Sequence, residues 1–140
     1  MRFYSSFFYT FSEKHMSEDH VSIYEYLGGE KTVKSLAYRF YDLMDTLETA
    51  KELRAIHPES LDESKEKFFL FLCGWFGGPQ LYVQQYGHPR LRMRHMPFRI
   101  DKKARDAWMH CMKIALREHI PHKEVLHRLQ HLIRIYLLSF

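Results

Sequence analysis

The chain has 140 residues, 46% of them hydrophobic and 27% charged, which is the size of one domain with enough apolar surface to bury a core. A formal net charge of +4 permits an anionic partner without demanding nucleic acid. Two distant cysteines, Cys73 and Cys111, and the lack of any apolar run near the roughly 18 residues of a membrane span argue against a disulfide framework, a thiolate zinc site and a transmembrane helix.

That cysteine usage leads us to expect a reducing, cytoplasmic setting, and an N-terminus with no A-x-A-like cleavage site fits a chain that is not exported. Aromatic residues make up 16% of the chain, with 11 Phe, 9 Tyr and 2 Trp. So much flat apolar surface means either an unusually aromatic core or a flat guest held inside it.

Residues 1–21 read as an N-terminal extension ahead of a domain spanning 22–140. Phe3, Phe7, Phe8 and Phe11 recur there at roughly helical spacing, and translation from Met16 is the alternative account of this stretch. A short helix from Ser22 to Leu27 is stopped by Gly28 and Gly29. The next helix, from about Glu30 to Thr46, buries Val33, Leu36, Ala37, Phe40, Met44 and Leu47. Tyr41 lies at the edge of that stripe, where a tyrosine serves either as a boundary residue or as a hydroxyl reaching an interior site. A stretched connection from Thr49 to Ala55 leads to Ile56-His57-Pro58, where the proline biases His57 away from helix and places it at a corner.

A helix opening near Ser60 carries Asp62 and Glu63 in its first turn, where the dipole favours them. Ser64, Phe68, Phe71, Leu72 and Trp75 share one of its faces. Gly77-Gly78-Pro79 ends it, and a loop from Gln80 to Gly87 is expected. In the stretch Tyr86 to Arg99, His95 sits between Pro89 and Pro97, which leave room for roughly two helical turns. With Arg90, Arg92, Arg94 and Arg99 around it, this is a solvated basic face, an anion-binding patch or a short element that presents His95.

Asp101 starts a helix to about His119, with Ala104, Trp108, Cys111, Met112 and Ala115 on one face. Pro121 resets the chain. A last helix to about Leu138 buries Val125, Leu129, Leu132, Ile133 and Tyr136. His127 and His131, without an acidic or thiol partner at matching spacing, read as exposed histidines rather than metal ligands. No internal repeat and no long alternating strand pattern interrupts this all-α reading.

In order, Phe40-Tyr41, Gly77-Gly78-Pro79, Tyr86-Gly87-His88-Pro89, Leu91-Arg92-Met93-Arg94-His95, Pro97-Phe98, Arg105-Asp106-Ala107-Trp108 and Cys111-Met112 resemble the group II truncated haemoglobins. The resemblance runs from about Ile23 to Tyr136. It implies a truncated globin, a two-over-two helical sandwich around haem b. The helices starting near Glu30 and Ser60 then face those starting near Asp101 and His122. His95 becomes the proximal ligand of the iron, neutral, with its other ring nitrogen donating to an acceptor.

On the opposite side the resemblance places Tyr41, His57 and Trp108 as donors that retain O2 and other diatomic ligands, with Ser64 at the gate. Phe68, Phe71, Leu72, Met93, Phe98 and Met112 become walls of the cofactor cavity, and Lys67 and Arg92 partners of the haem propionates. His57 departs from the Tyr or Phe more usual in the family, and the connection from Leu47 to Ala55 looks longer, which is expected to loosen that corner. His57 is left as a donor to the ligand, an acceptor from Tyr41 or a sixth ligand of ferric iron.

The function so implied is reversible binding of O2 and related diatomics, extended to nitric oxide or reactive oxygen detoxification if an unknown reductase supplies electrons. Neither nucleic acid nor membrane is a partner in this reading. The competing one is a cofactor-free, basic all-helical adaptor that uses Arg90, Arg92, Arg94 and Arg99 on nucleic acid or protein, and is colourless.

Overall fold

A computed structural model describes residues 21–87 and 101–137. The expectations for residues 1–20 and for Arg92, Met93, His95 and Phe98 fall outside these described residues. Ser22 opens the first helix, α1 (Ile23–Tyr26), by accepting the Glu25 N–H on its hydroxyl at 3.1 Å. Gly28 and Gly29 follow at φ 103° and 76°, the left-handed backbone that ends α1 and turns the chain into α2 (Glu30–Thr46).

Helix α2 buries Val33, Leu36, Ala37, Phe40, Leu43 and Met44. Leu43 widens the expected stripe, while Leu47 lies just past the helix and is half-buried. Because both α4 and α6 pack on it, α2 is the central element of the fold.

The connection after α2 differs from the stretched segment expected there. A 3-10 turn (Glu48–Ala50) runs directly into α3 (Lys51–Ala55). Ala50 and Leu53, three residues apart, are its only buried side chains. Two apolar anchors are too few to show as a periodic stripe, yet they seat the segment against α6, and Lys103 on α6 pairs with Glu52 at 2.8 Å. The longer connection is therefore folded down rather than loosened.

Helix α4 (Asp62–Trp75) is buried on every side from Phe69 onward. The single face expected for it was too narrow, since Phe69, Leu70 and Cys73 are also enclosed. Residues 80–87, expected to form a loop, instead carry α5 (Leu81–Tyr86). Tyr82 alone is buried on α5, so no pattern announced it. The Gln80 amide donates to the Gly74 carbonyl at 3.0 Å, which ties the start of α5 to the end of α4.

Asp101 caps α6 (Lys102–His119), its carboxylate accepting the Ala104 N–H at 2.9 Å. The last helix, α7 (Lys123–Leu137), buries Leu126, Leu129, Ile133, Tyr136 and Leu137. Its buried face is thus turned from the one expected, and Val125 and Leu132 are only half-buried. The rings of Trp75 and Tyr136 meet at 5.2 Å and join α4 to α7, as α6 joins α7 on the other side. Helices α2 and α4 stacked with α6 and α7 make the two-over-two arrangement. Among the described residues there is no strand, and no helix is long and apolar enough to cross a membrane.

Cys73 and Cys111 are free, buried thiols, and burial pushes each up to about 11. A raised folded-state pKa leaves its contribution intact below the ordinary thiol value of 9.0 and removes it as pH rises through about 11. Each thiol is worth on the order of 2 kcal/mol across that window. Urea unfolding is therefore expected to show a lower midpoint at about pH 10.5 than at about pH 8. Equal midpoints would contradict the burial of the thiols.

Candidate functional site

Adjacent residues on α2 start the site. Phe40 points into the core and is fully buried, while Tyr41, one position around the helix, stays half-buried. Phe40 is a hub on which three rings converge: Tyr41 at 5.0 Å, Phe68 from α4 at 5.0 Å and Trp108 from α6 at 4.9 Å. Phe68 lies 5.8 Å from Tyr41 and 6.0 Å from Trp108, so it also bridges the other two rings. His57, at the corner after α3, brings its ring to 6.0 Å from Tyr41, edge to face. The structure thus gathers Tyr41, His57, Phe68 and Trp108 from three helices and a turn into one aromatic patch.

Burial drives the Tyr41 phenol well above its ordinary value, yet the side chain keeps accessible surface. Depth combined with residual exposure is the property of a side chain that lines a recess. Its hydroxyl therefore remains a protonated donor at any neutral pH, and among the described residues nothing hydrogen-bonds it. The same holds for the Trp108 indole, which can only donate.

His57 behaves differently. Its Nδ1 lies 2.9 Å from the Leu53 carbonyl, and its backbone N–H donates to the Arg54 carbonyl at 3.1 Å. A carbonyl only accepts, so Nδ1 carries a proton and donates it there. Tyr41 and Trp108 are the donors of the patch, and the His57 ring flanks Tyr41 with its Nδ1 turned to the Leu53 carbonyl.

The remaining candidates scatter around this patch. Leu72 and Met112 are fully buried, and Phe71 packs on Trp75 and Tyr82 at 5.8 and 6.2 Å. Ser64 is half-buried one turn before Phe68 on α4. Lys67 pairs with Glu63 at 2.8 Å, which holds that carboxyl below its usual range, and its ammonium lies 5.0 Å from the Tyr86 ring centroid. His127 and His131 are exposed on α7. Among the described residues no group of three His, Cys, Asp or Glu side chains is placed to hold a metal ion.

Two contributors escaped the sequence. Phe40 looks like any core residue of an amphipathic helix, and only the convergence of three elements reveals it as a hub. Arg54 carries no local signal at all, because its partners are an aspartate nine residues back and two backbone carbonyls ahead.

Comparison with known proteins agrees with this architecture. The bacterial-like globin family matches residues 22–136. The chain is 40% identical over 88 residues to the group 2 truncated hemoglobin YjbI of Bacillus subtilis, covering 63% of this chain and 64% of that protein. It is 28% identical over 92 residues to two-on-two hemoglobin-3 of Arabidopsis thaliana, covering 66% of this chain and 53% of that one. These alignments span less than two thirds of the relatives' own length.

Among solved structures, the cold-adapted truncated hemoglobin of Pseudoalteromonas haloplanktis TAC125 superposes with a TM-score of 0.83 at 44% identity, over 85% of this chain and 96% of that one. The group II 2-on-2 hemoglobin of Agrobacterium tumefaciens has the same TM-score at 40% identity, over 89% and 96%.

Proposed function

Because the chain belongs to the group II truncated haemoglobins of the bacterial-like globin family, a haem-binding globin, we propose that it holds haem b against the patch of Tyr41, Phe68 and Trp108 and reversibly binds O2 and other diatomic ligands there. One observation carries this reading. A flat aromatic recess with a deep tyrosine hydroxyl that has no partner among the described residues suits a planar cofactor carrying a polar ligand.

Haem supplies the iron on which the diatomic ligand is held, and the chain supplies everything that discriminates among ligands. In this reading His95 is the proximal ligand. The Tyr41 hydroxyl and the Trp108 N–H would donate to a diatomic ligand held there, and the surrounding rings would exclude water. In this reading His57, its ring edge to face with Tyr41 at 6.0 Å, takes the Tyr41 hydroxyl on Nε2 when no ligand claims it and so competes with the ligand for that donor.

Phe68, Phe71, Leu72, Met93, Phe98 and Met112 enclose the macrocycle, Lys67 and Arg92 pair with its propionates, and Ser64 leaves the entry open. Lys67 must share its charge with Glu63 to do so. Nitric oxide or reactive oxygen detoxification extends the same site when an external reductase returns electrons. In the ferric state His57 or Tyr41 is the candidate sixth ligand. Ferric spectra that remain five-coordinate or water-ligated at all pH values dismiss that last element.

Haem titration tests the reading. The purified chain is expected to take up about one equivalent and develop a Soret band, and His95→Ala to lose or strongly alter it. A chain that stays colourless and instead binds nucleic acid with a steep salt dependence would restore the adaptor. Family membership disfavours that alternative.

A further inference from the structure

Arg54 has a place in the fold that the globin reading does not use. It stands at the end of α3 with its side chain 22% exposed, and its guanidinium makes three hydrogen bonds in three directions. The Nε–H donates to Asp45 on the last turn of α2 at 2.8 Å. The two terminal nitrogens donate to the carbonyls of Pro58 and Glu59 at 2.9 and 2.7 Å. The Arg54 carbonyl itself accepts the His57 backbone N–H at 3.1 Å. His57 is therefore bracketed, its own amide tied to the Arg54 backbone and the next two residues tied to the Arg54 side chain.

We propose that Arg54 is a positioning residue for His57, holding the imidazole where Nδ1 donates to the Leu53 carbonyl and the ring meets that of Tyr41. The proposal rests on the distal role given to His57 above. The chemistry favours arginine for this task. Three acceptors on two segments need a rigid, planar, multidentate donor, and a lysine ammonium, a point charge on a flexible stem, does not match their fork geometry.

Asp45 fixes the guanidinium to α2, the helix that also carries Tyr41 four residues earlier. The device thus references His57 to the same helix as its partner. Without it, Pro58 and Glu59 lose their shared anchor, and the 2.9 Å contact of Nδ1 with the Leu53 carbonyl is no longer braced from that side of the corner.

The test is a cycle of Arg54→Met, His57→Leu and the double variant in the haem-loaded protein, with three readouts. These are the O2 dissociation rate, the low-spin fraction in the ferric spectrum, and the His57 tautomer by nitrogen-15 NMR of the diamagnetic carbon monoxide complex. Arg54→Met is expected to move the dissociation rate in the same direction as His57→Leu, by about threefold, and to raise the low-spin fraction. The imidazole signals are expected to change from one tautomer to a mixture.

In the His57→Leu background, Arg54→Met is expected to leave rate and spectrum unchanged while still lowering thermal stability. Arg54→Lys should resemble Arg54→Met in all three readouts, and it carries the test if the methionine variant does not fold. A stability loss in Arg54→Met with a wild-type rate, spectrum and tautomer overturns the proposal and leaves the distal site intact. An unchanged His57→Leu variant removes the role of His57 itself, and the proposal falls with it.

Discussion

Gly78→Ala is expected to destabilise the fold by about 3 kcal/mol, seen as a fall of roughly 10 °C in Tm. A Cβ added at this position lies 2.5 Å from the Tyr24 ring carbon Cγ and 2.7 Å from both Cδ atoms, closer than van der Waals contact allows. The ring has no easy retreat. The Tyr24 amide donates to the Phe76 carbonyl at 2.9 Å, and its carbonyl accepts the Gly29 N–H at 2.8 Å. Tyr24 is thus a peg set between two glycine pairs, and it locks α1 to the end of α4.

Tyr24→Ala removes the obstacle, so Gly78→Ala should cost under about 1 kcal/mol in that background. Denaturant unfolding of the four proteins checks this. An undiminished cost in the double variant would mean that the strain arises elsewhere than at Tyr24.

The same glycines show how far the sequence could be read. Gly77-Gly78-Pro79 announced the end of α4, and Gly77 does take a left-handed φ of 86°. Gly78 is there for another reason, the approach of a ring from a helix more than fifty residues away, and no local pattern encodes that. The bounds of α2 were legible because six buried residues at helical spacing fill one stripe. Helices α3 and α5 were not, because each is about a turn long and buries a single side chain, Leu53 and Tyr82.

At the site, the gathering of Tyr41, His57 and Trp108 followed from family resemblance rather than from spacing. The Nδ1 contact of His57 with Leu53 followed from neither. It depends on which backbone carbonyl the folded corner brings within reach of Nδ1, and therefore on tertiary geometry alone.

With Nε2 of His57 as an acceptor, as proposed, the distal variants differ in sign, which is the sharpest consequence of the proposed site. Tyr41→Phe is expected to speed O2 dissociation by about 10- to 100-fold, the loss of one buried donor to a charged acceptor, and Trp108→Phe by about tenfold. His57→Leu is expected to slow it by about threefold, because removing the Nε2 acceptor returns the whole Tyr41 hydroxyl to the ligand. Each is measured by stopped-flow displacement of O2 with carbon monoxide.

If His57→Leu instead accelerates release as Tyr41→Phe does, Nε2 is a donor, and the Leu53 contact does not fix the tautomer in the loaded protein. If all three match the wild type, the patch of Tyr41, His57 and Trp108 does not face the ligand. The predicted order also bears on function. A hydroxyl shared between a ligand and a neighbouring acceptor gives intermediate retention, which allows the ligand to leave, whereas a pocket of donors alone favours holding it.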